Sequence, residues 1–119
     1  MAANTPLKRY KQNTHGGGIR DPLVVRLPPS IAADPGALRH QFCHVSDLTP
    51  TLLDLLDVPT PNDMTGVSFA TSISDPAAVT AKTTQYFEMF GHRGIWHNGW
   101  KAVAWHWPGT AFDLSLIHI

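Results

Sequence analysis

Polar and apolar positions alternate in blocks along this chain, and the blocks predict its elements. Residues 1–15 are polar and loop-like, with the cations Lys8, Arg9 and Lys11. Gly16-Gly17-Gly18 follows, a turn where backbone must either pass close to another segment or take positive φ. Leu23 to Leu27 is a short apolar run with two valines, stopped by Pro28-Pro29, and reads as a buried strand. Ser30 to Gly36 is a surface loop, and Gln41 to Val45 a possible second short strand.

Leu48, Leu52, Leu55 and Leu56 then recur at helical spacing. They predict an amphipathic helix over 47–57, packed on a sheet, with Asp47 as N-cap and Pro50 in its first turn. Pro59 and Pro61 end it, and residues 57–81 form a connecting region with a short helical turn after Asp75-Pro76. Thr84 to Phe90 reads as a strand. Arg93 to His97 and Trp100 to His106 flank Asn98-Gly99, the preferred type I′ hairpin turn, so this part is an antiparallel meander.

At 119 residues the chain can build one modest core. Nine basic and nine acidic side chains give zero formal charge, which argues against a nucleic-acid or membrane-surface partner. No run approaches a membrane span of about 18 apolar residues. Cys43 is the single cysteine, so no internal disulfide is available. The stretch Leu114-Ser115-Leu116-Ile117-His118-Ile119 resembles the translation of a sequencing-library adapter, and is set aside as non-biological.

Three stretches resemble the C-terminal part of the arylsulfatases, in the family's order, over about residues 4–112. They are Lys11-x-x-Thr14-x-x-Gly17-Gly18-Ile19-Arg20-x-Pro22-Leu23-Val24-Val25-Arg26; then His44-Val45-Ser46-Asp47-Leu48-Thr49-Pro50-Thr51-Leu52-Leu53-Asp54-Leu55 with Thr65-Gly66-Val67-Ser68-Phe69; and Gln85 to Arg93 with Gly99-Trp100-Lys101-Ala102-Val103. That family is similar to alkaline phosphatase in fold. The resemblance implies an α/β chain carrying the last strand and helix of a large mixed sheet, then a small antiparallel sheet. Residues 1–58 would end the catalytic domain, 59–82 connect, and 83–113 form the small sheet.

The resemblance also implies hydrolysis of a small-molecule sulfate ester, by a formylglycine nucleophile made from a Cys or Ser in a C/S-x-P-S/A-R motif, beside a calcium ion held by Asp and Asn oxygens. Neither the motif nor the ligands occur in this chain, so the segment alone is expected to be inactive. Lys11, nine residues before Arg20, aligns with the lysine that contacts the sulfate. A flexible ammonium suits an oxyanion as a point charge. The bland alternative is a solvated loop lysine. His15 is a second substrate-binding candidate, read either beside the substrate or as a cap on the glycine turn.

Other residues carry less. Cys43 lacks the flanking Pro and Arg of the modification motif and reads as a buried free thiol. His40, Cys43 and His44 lack the second pair that a zinc site requires. Glu88 and Arg93 are placed to pair across the small sheet. Trp96, Trp100, Trp105 and Trp107 read as its core and cover. Two other readings stay open: a phosphodiester or phosphonate hydrolase of the same superfamily, and a non-enzymatic binding module built on the tryptophan-rich sheet.

Overall fold

The computed structural model describes residues 4–31, 34 and 36–106, and the backbone of 113–118. By contact the chain divides into two units, residues 1–24 with 83–119, and residues 25–82. This grouping differs from the division read along the sequence, because residues 4–20 fold onto the small sheet.

That sheet holds four antiparallel strands in sequential order: β1 (Thr84–Met89), β2 (His92–His97), β3 (Trp100–Trp105) and β4 (Asp113–His118). The Asn98-Gly99 turn forms as expected, with φ of 46° and 85°, the left-handed pair that a type I′ hairpin needs. Burial alternates along β2, so one face carries Gly94, Trp96, Lys101 and Val103 inward. Register sets Trp96 opposite Lys101 and Gly94 opposite Val103. Trp96 and Val103 are the core of this unit, at 6% and 1% exposure. The other face shows Tyr86, Ile95 and Trp100 to solvent. Trp105 is half-buried and Trp107 lies outside the described residues. Among the described residues the tryptophans thus divide between the core, at Trp96, and the more open positions of Trp100 and Trp105.

The backbone of β4, which includes the adapter-like residues 114–118, pairs with β3 from Trp100↔His118 to Trp105↔Asp113. An open strand edge accepts such a segment because its N–H and C=O groups are otherwise unpaired.

Within the first unit, α1 (Gly16–Ile19) is a single turn. The second unit holds a 3₁₀ turn (Val45–Asp47), α2 (Leu48–Leu55) and α3 (Ala70–Ser74). Three expectations need correction here. Leu23 to Leu27 forms no strand, and Val24 is 91% exposed. A two-sided buried strand exists only between neighbours, and the described residues supply none. Gln41 to Val45 is no strand either. Gln41 Nε2 donates to the carbonyls of Pro76 and Ala78, and Phe42 O accepts from Thr80 Oγ1 at 3.0 Å. Side chains thus hold that segment where a ladder was expected. The helix does form, yet its buried positions are Pro50 and Thr51, while Leu52 and Leu56 face solvent. No strand is described within that unit for the leucines to pack on. The short helix α3 precedes Asp75-Pro76, and the turn expected after it forms as a single turn that Ala78 N closes on Asp75 O at 3.2 Å.

Candidate functional site

Lys11 sits exposed on the loop 8–13, and that loop is held closely. Gly17 N donates to Lys8 O at 2.9 Å, and Asn4 Nδ2 donates to Gly17 O. Asn13 Nδ2 donates to Tyr10 O and Lys11 O, at 3.3 and 3.4 Å. The glycine run exists for close approach. A Cβ on Gly17 would lie 2.0 Å from Arg9 O, and one on Gly18 would lie 1.9 Å from Asn13 O. Either contact is a collision with backbone, so the loop and the turn are compatible only without side chains. The loop bends sharply on both sides of Lys11, where Arg9 and Gln12 take φ of 70° and 72°. Non-glycine residues hold such angles only when their surroundings impose them.

Those surroundings are the small sheet. Thr14, 1% exposed, donates through Oγ1 to Arg93 O at 3.1 Å on β2. At the other end of the loop, the Arg9 guanidinium lies 4.6 Å from the Trp105 ring centroid. Trp105 in turn stacks on His92, with centroids 6.0 Å apart and planes 13° apart. The His92 ring is fixed too, since its Nδ1 accepts from His106 N at 3.2 Å. His15 stands at the N-cap of α1, but its side chain makes no capping hydrogen bond and is 2% exposed. The two candidates therefore part: Lys11 is open to solvent and His15 is enclosed.

In the second unit the structure reveals a hub at Asp47, a residue whose sequence context predicts only a helix cap. Asp47 is 1% exposed and meets Lys82 Nζ at 2.9 Å. Its oxygens also accept from His44 N at 2.8 Å, Val67 N at 2.9 Å and Ser46 Oγ at 3.3 Å. Its backbone carbonyl accepts from Thr51 Oγ1, which itself accepts from Phe69 N at 3.0 Å. Asp47 thus caps the 3₁₀ turn through His44 and makes no side-chain cap to α2. The expected N-cap role moves one element earlier. Lys82 carried no local sequence signal. Only the demand of a buried carboxylate for a counter-charge could have pointed to it.

Cys43 is half-buried, so the thiol is less enclosed than expected. Burial, with the Asp47 charge second, pushes its pKa up. That is the reverse of an activated thiol. Burial and the nearby Lys82 charge hold His44 below the usual histidine range against the opposing pull of Asp47. Its Nδ1 meets Ser46 Oγ at 2.9 Å. Glu88 and Arg93 are direct cross-strand partners, yet they form no salt bridge. The Glu88 carboxylate accepts from the Tyr86 hydroxyl on its own strand, and this bond raises the Tyr86 pKa.

This geometry can be set against known proteins. Residues 8–115 match the C-terminal family of the N-sulphoglucosamine sulphohydrolases. The chain belongs to that family. It is also similar to a sulfatase of Schizosaccharomyces pombe whose own function is uncharacterized, at 31% identity over 113 residues. The match takes in 87% of this chain and 20% of that protein, so the chain spans about a fifth of the relative's length. The sulfatase C-terminal segment therefore consists of the glycine-braced loop, the Asp47-centred helical unit and the antiparallel sheet.

The described residues do not fit the calcium ion implied by the sulfatase resemblance. No group of three His, Cys, Asp or Glu side chains among them could hold a metal. Asp47, their buried carboxylate, has both oxygens engaged by Lys82 and by N–H and O–H donors. No helix among them is long and apolar enough to cross a membrane.

Proposed function

We propose that this segment belongs to an enzyme that hydrolyses sulfate esters, and that Lys11 is its contact to the sulfate group. The supporting observation is the state of Lys11. It is exposed at the tip of a loop whose backbone is fixed on both sides, by the glycine turn and by Thr14. A solvated loop lysine needs no such bracing. A lysine that must present one positive charge at a set point does, because electrostatic stabilisation works through groups already in place.

On this reading the formylglycine and the calcium ligands come from residues outside 1–119. The formylglycine would supply the nucleophile. Lys11 contributes its ammonium, which offsets charge on the sulfate oxygens as the S–O bond to the leaving group breaks. The 119-residue segment alone is inactive. The small-molecule substrate carries a sulfate ester or, given the name of the matching family, a sulfate on a glucosamine nitrogen.

The test uses the complete enzyme that carries this segment. Its kcat/KM is measured on 4-nitrophenyl sulfate, glucosamine N-sulfate and bis(4-nitrophenyl) phosphate, with and without Lys11→Ala. Turnover of a sulfate substrate, with a loss of about 10²–10³ on Lys11→Ala, is expected. Turnover of the phosphodiester alone would move the enzyme to phosphate chemistry. An unchanged kcat/KM in Lys11→Ala would return the residue to a solvated loop.

A further inference from the structure

We infer that the small antiparallel sheet positions Lys11 through two staples, Arg9 on Trp105 and Thr14 on Arg93. The inference rests on the sulfate-contact reading of Lys11 and adds residues that touch no substrate themselves. Lys11 lies between the two attachment points. On one side, Arg9 carries its guanidinium to 4.6 Å from the Trp105 ring centroid while its backbone holds φ of 70°. On the other, Thr14 is enclosed and donates to a β2 carbonyl. Its Cβ lies 3.1 Å from where a Gly94 Cβ would be, so the sheet also meets the loop by contact.

Both staples end on neighbouring strands, β2 and β3, whose register is fixed by the Asn98-Gly99 hairpin. His92 stacks on Trp105, and its own ring is held by His106 N. The sheet thus acts as a jig. A ring on β3 and a carbonyl on β2 define where the loop between residues 9 and 14 runs. A cation over an aromatic face is directional and still tolerant of a wet surface, which suits the exposed Arg9. The enclosed Thr14 hydrogen bond sets the depth of the loop. Misplacing a reacting or stabilising group by about 1 Å costs on the order of 10²-fold.

The experiment is a double-mutant cycle in the complete enzyme, with 4-nitrophenyl sulfate as probe. Arg9→Ala removes the outer staple from an exposed position, so the fold is retained, and near-ultraviolet circular dichroism checks that it is. The expected result is a drop in kcat of about ten-fold or more with little change in KM. Arg9→Lys and Trp105→Phe, which keep a cation over a ring, should recover most of the loss. Gly94→Ala, which pushes on Thr14, should fall between wild type and Arg9→Ala. In a Lys11→Ala background, Arg9→Ala should cause almost no further loss, because its effect runs through Lys11. Full additivity in that background, or an unaltered kcat in Arg9→Ala, would overturn the positioning role. A Lys11→Ala variant with unchanged kcat/KM would instead remove the sulfate-contact reading, and the inference with it.

Discussion

Lys101 should make the folded chain less stable than it would be without the charge. The side chain points into the inner face of the sheet, 4% exposed, opposite Trp96 and two residues from Val103. Among the described residues no carboxylate lies within salt-bridge distance of it. Burial alone lowers its pKa from 10.5 to about 8. A drop of that size corresponds to roughly 3 kcal/mol in favour of the neutral amine. Relaxation of the surroundings of a buried charge offsets part of this cost, so about 2 kcal/mol is the working figure at pH 7. Lys101→Met keeps the length of the stem and removes the charge. It should stabilise the chain by about 2 kcal/mol at pH 7, against the usual trend of substitutions at buried positions.

The pH dependence gives the sharper test. Between about pH 8 and 10.5 the unfolded chain keeps its lysine proton while the folded chain has lost it. The unfolded state therefore binds more protons, and stability rises with pH across that window. Urea unfolding followed by tryptophan fluorescence, at intervals from pH 7 to 10.5, reads this directly. The advantage of Lys101→Met over wild type should shrink steadily as pH rises. A variant less stable than wild type at pH 7, or an advantage independent of pH, would refute the reasoning and imply that the ammonium is compensated.

Two further outcomes follow from the second unit. Lys82→Met leaves the buried Asp47 carboxylate without its counter-charge, so urea unfolding should show a loss of about 3–5 kcal/mol; a loss under about 1 kcal/mol would mean that the donors on Asp47 suffice alone. Val24, at 91% exposure, should accept lysine with a change within about 0.5 kcal/mol, while static light scattering shows less association; a larger loss would mean that this run packs in the folded chain.

What the sequence revealed depended on how far away each element's partners lie. The hairpin carries its own instructions, because β2 and β3 are joined by the two residues that dictate their register, and Asn98 and Gly99 need nothing else. The existence of the helix over 48–55 is legible for the same reason, since its period is local, whereas its cap and its buried face are not. Leu23 to Leu27 shows the converse. Its composition states that it belongs between strands, but composition cannot supply them, and the residues described here do not. The exposure of Leu52 and Leu56 has the same origin.

The candidate site follows the same rule with one refinement. Lys11 and the glycine run are legible as a pair, because glycines beside a cation announce close backbone approach. The structure then chose between the two uses of glycine: Gly17 and Gly18 are there to admit carbonyls, with no positive φ at either. What holds the loop in place was not legible. Arg9 and Trp105 are far apart in sequence, and a cation–π contact leaves no periodic trace. Hydrophobicity alone assigns Trp105 to the core and cover of the sheet. Its ring also carries a charge-bearing side chain on a functional loop, so the aromatic content of the sheet is tied to where Lys11 stands. An assignment of residues to core or to site thus fails where one ring serves both. In this chain that ring connects the sheet, the part most fully determined by local sequence, to the lysine whose role depends on residues elsewhere.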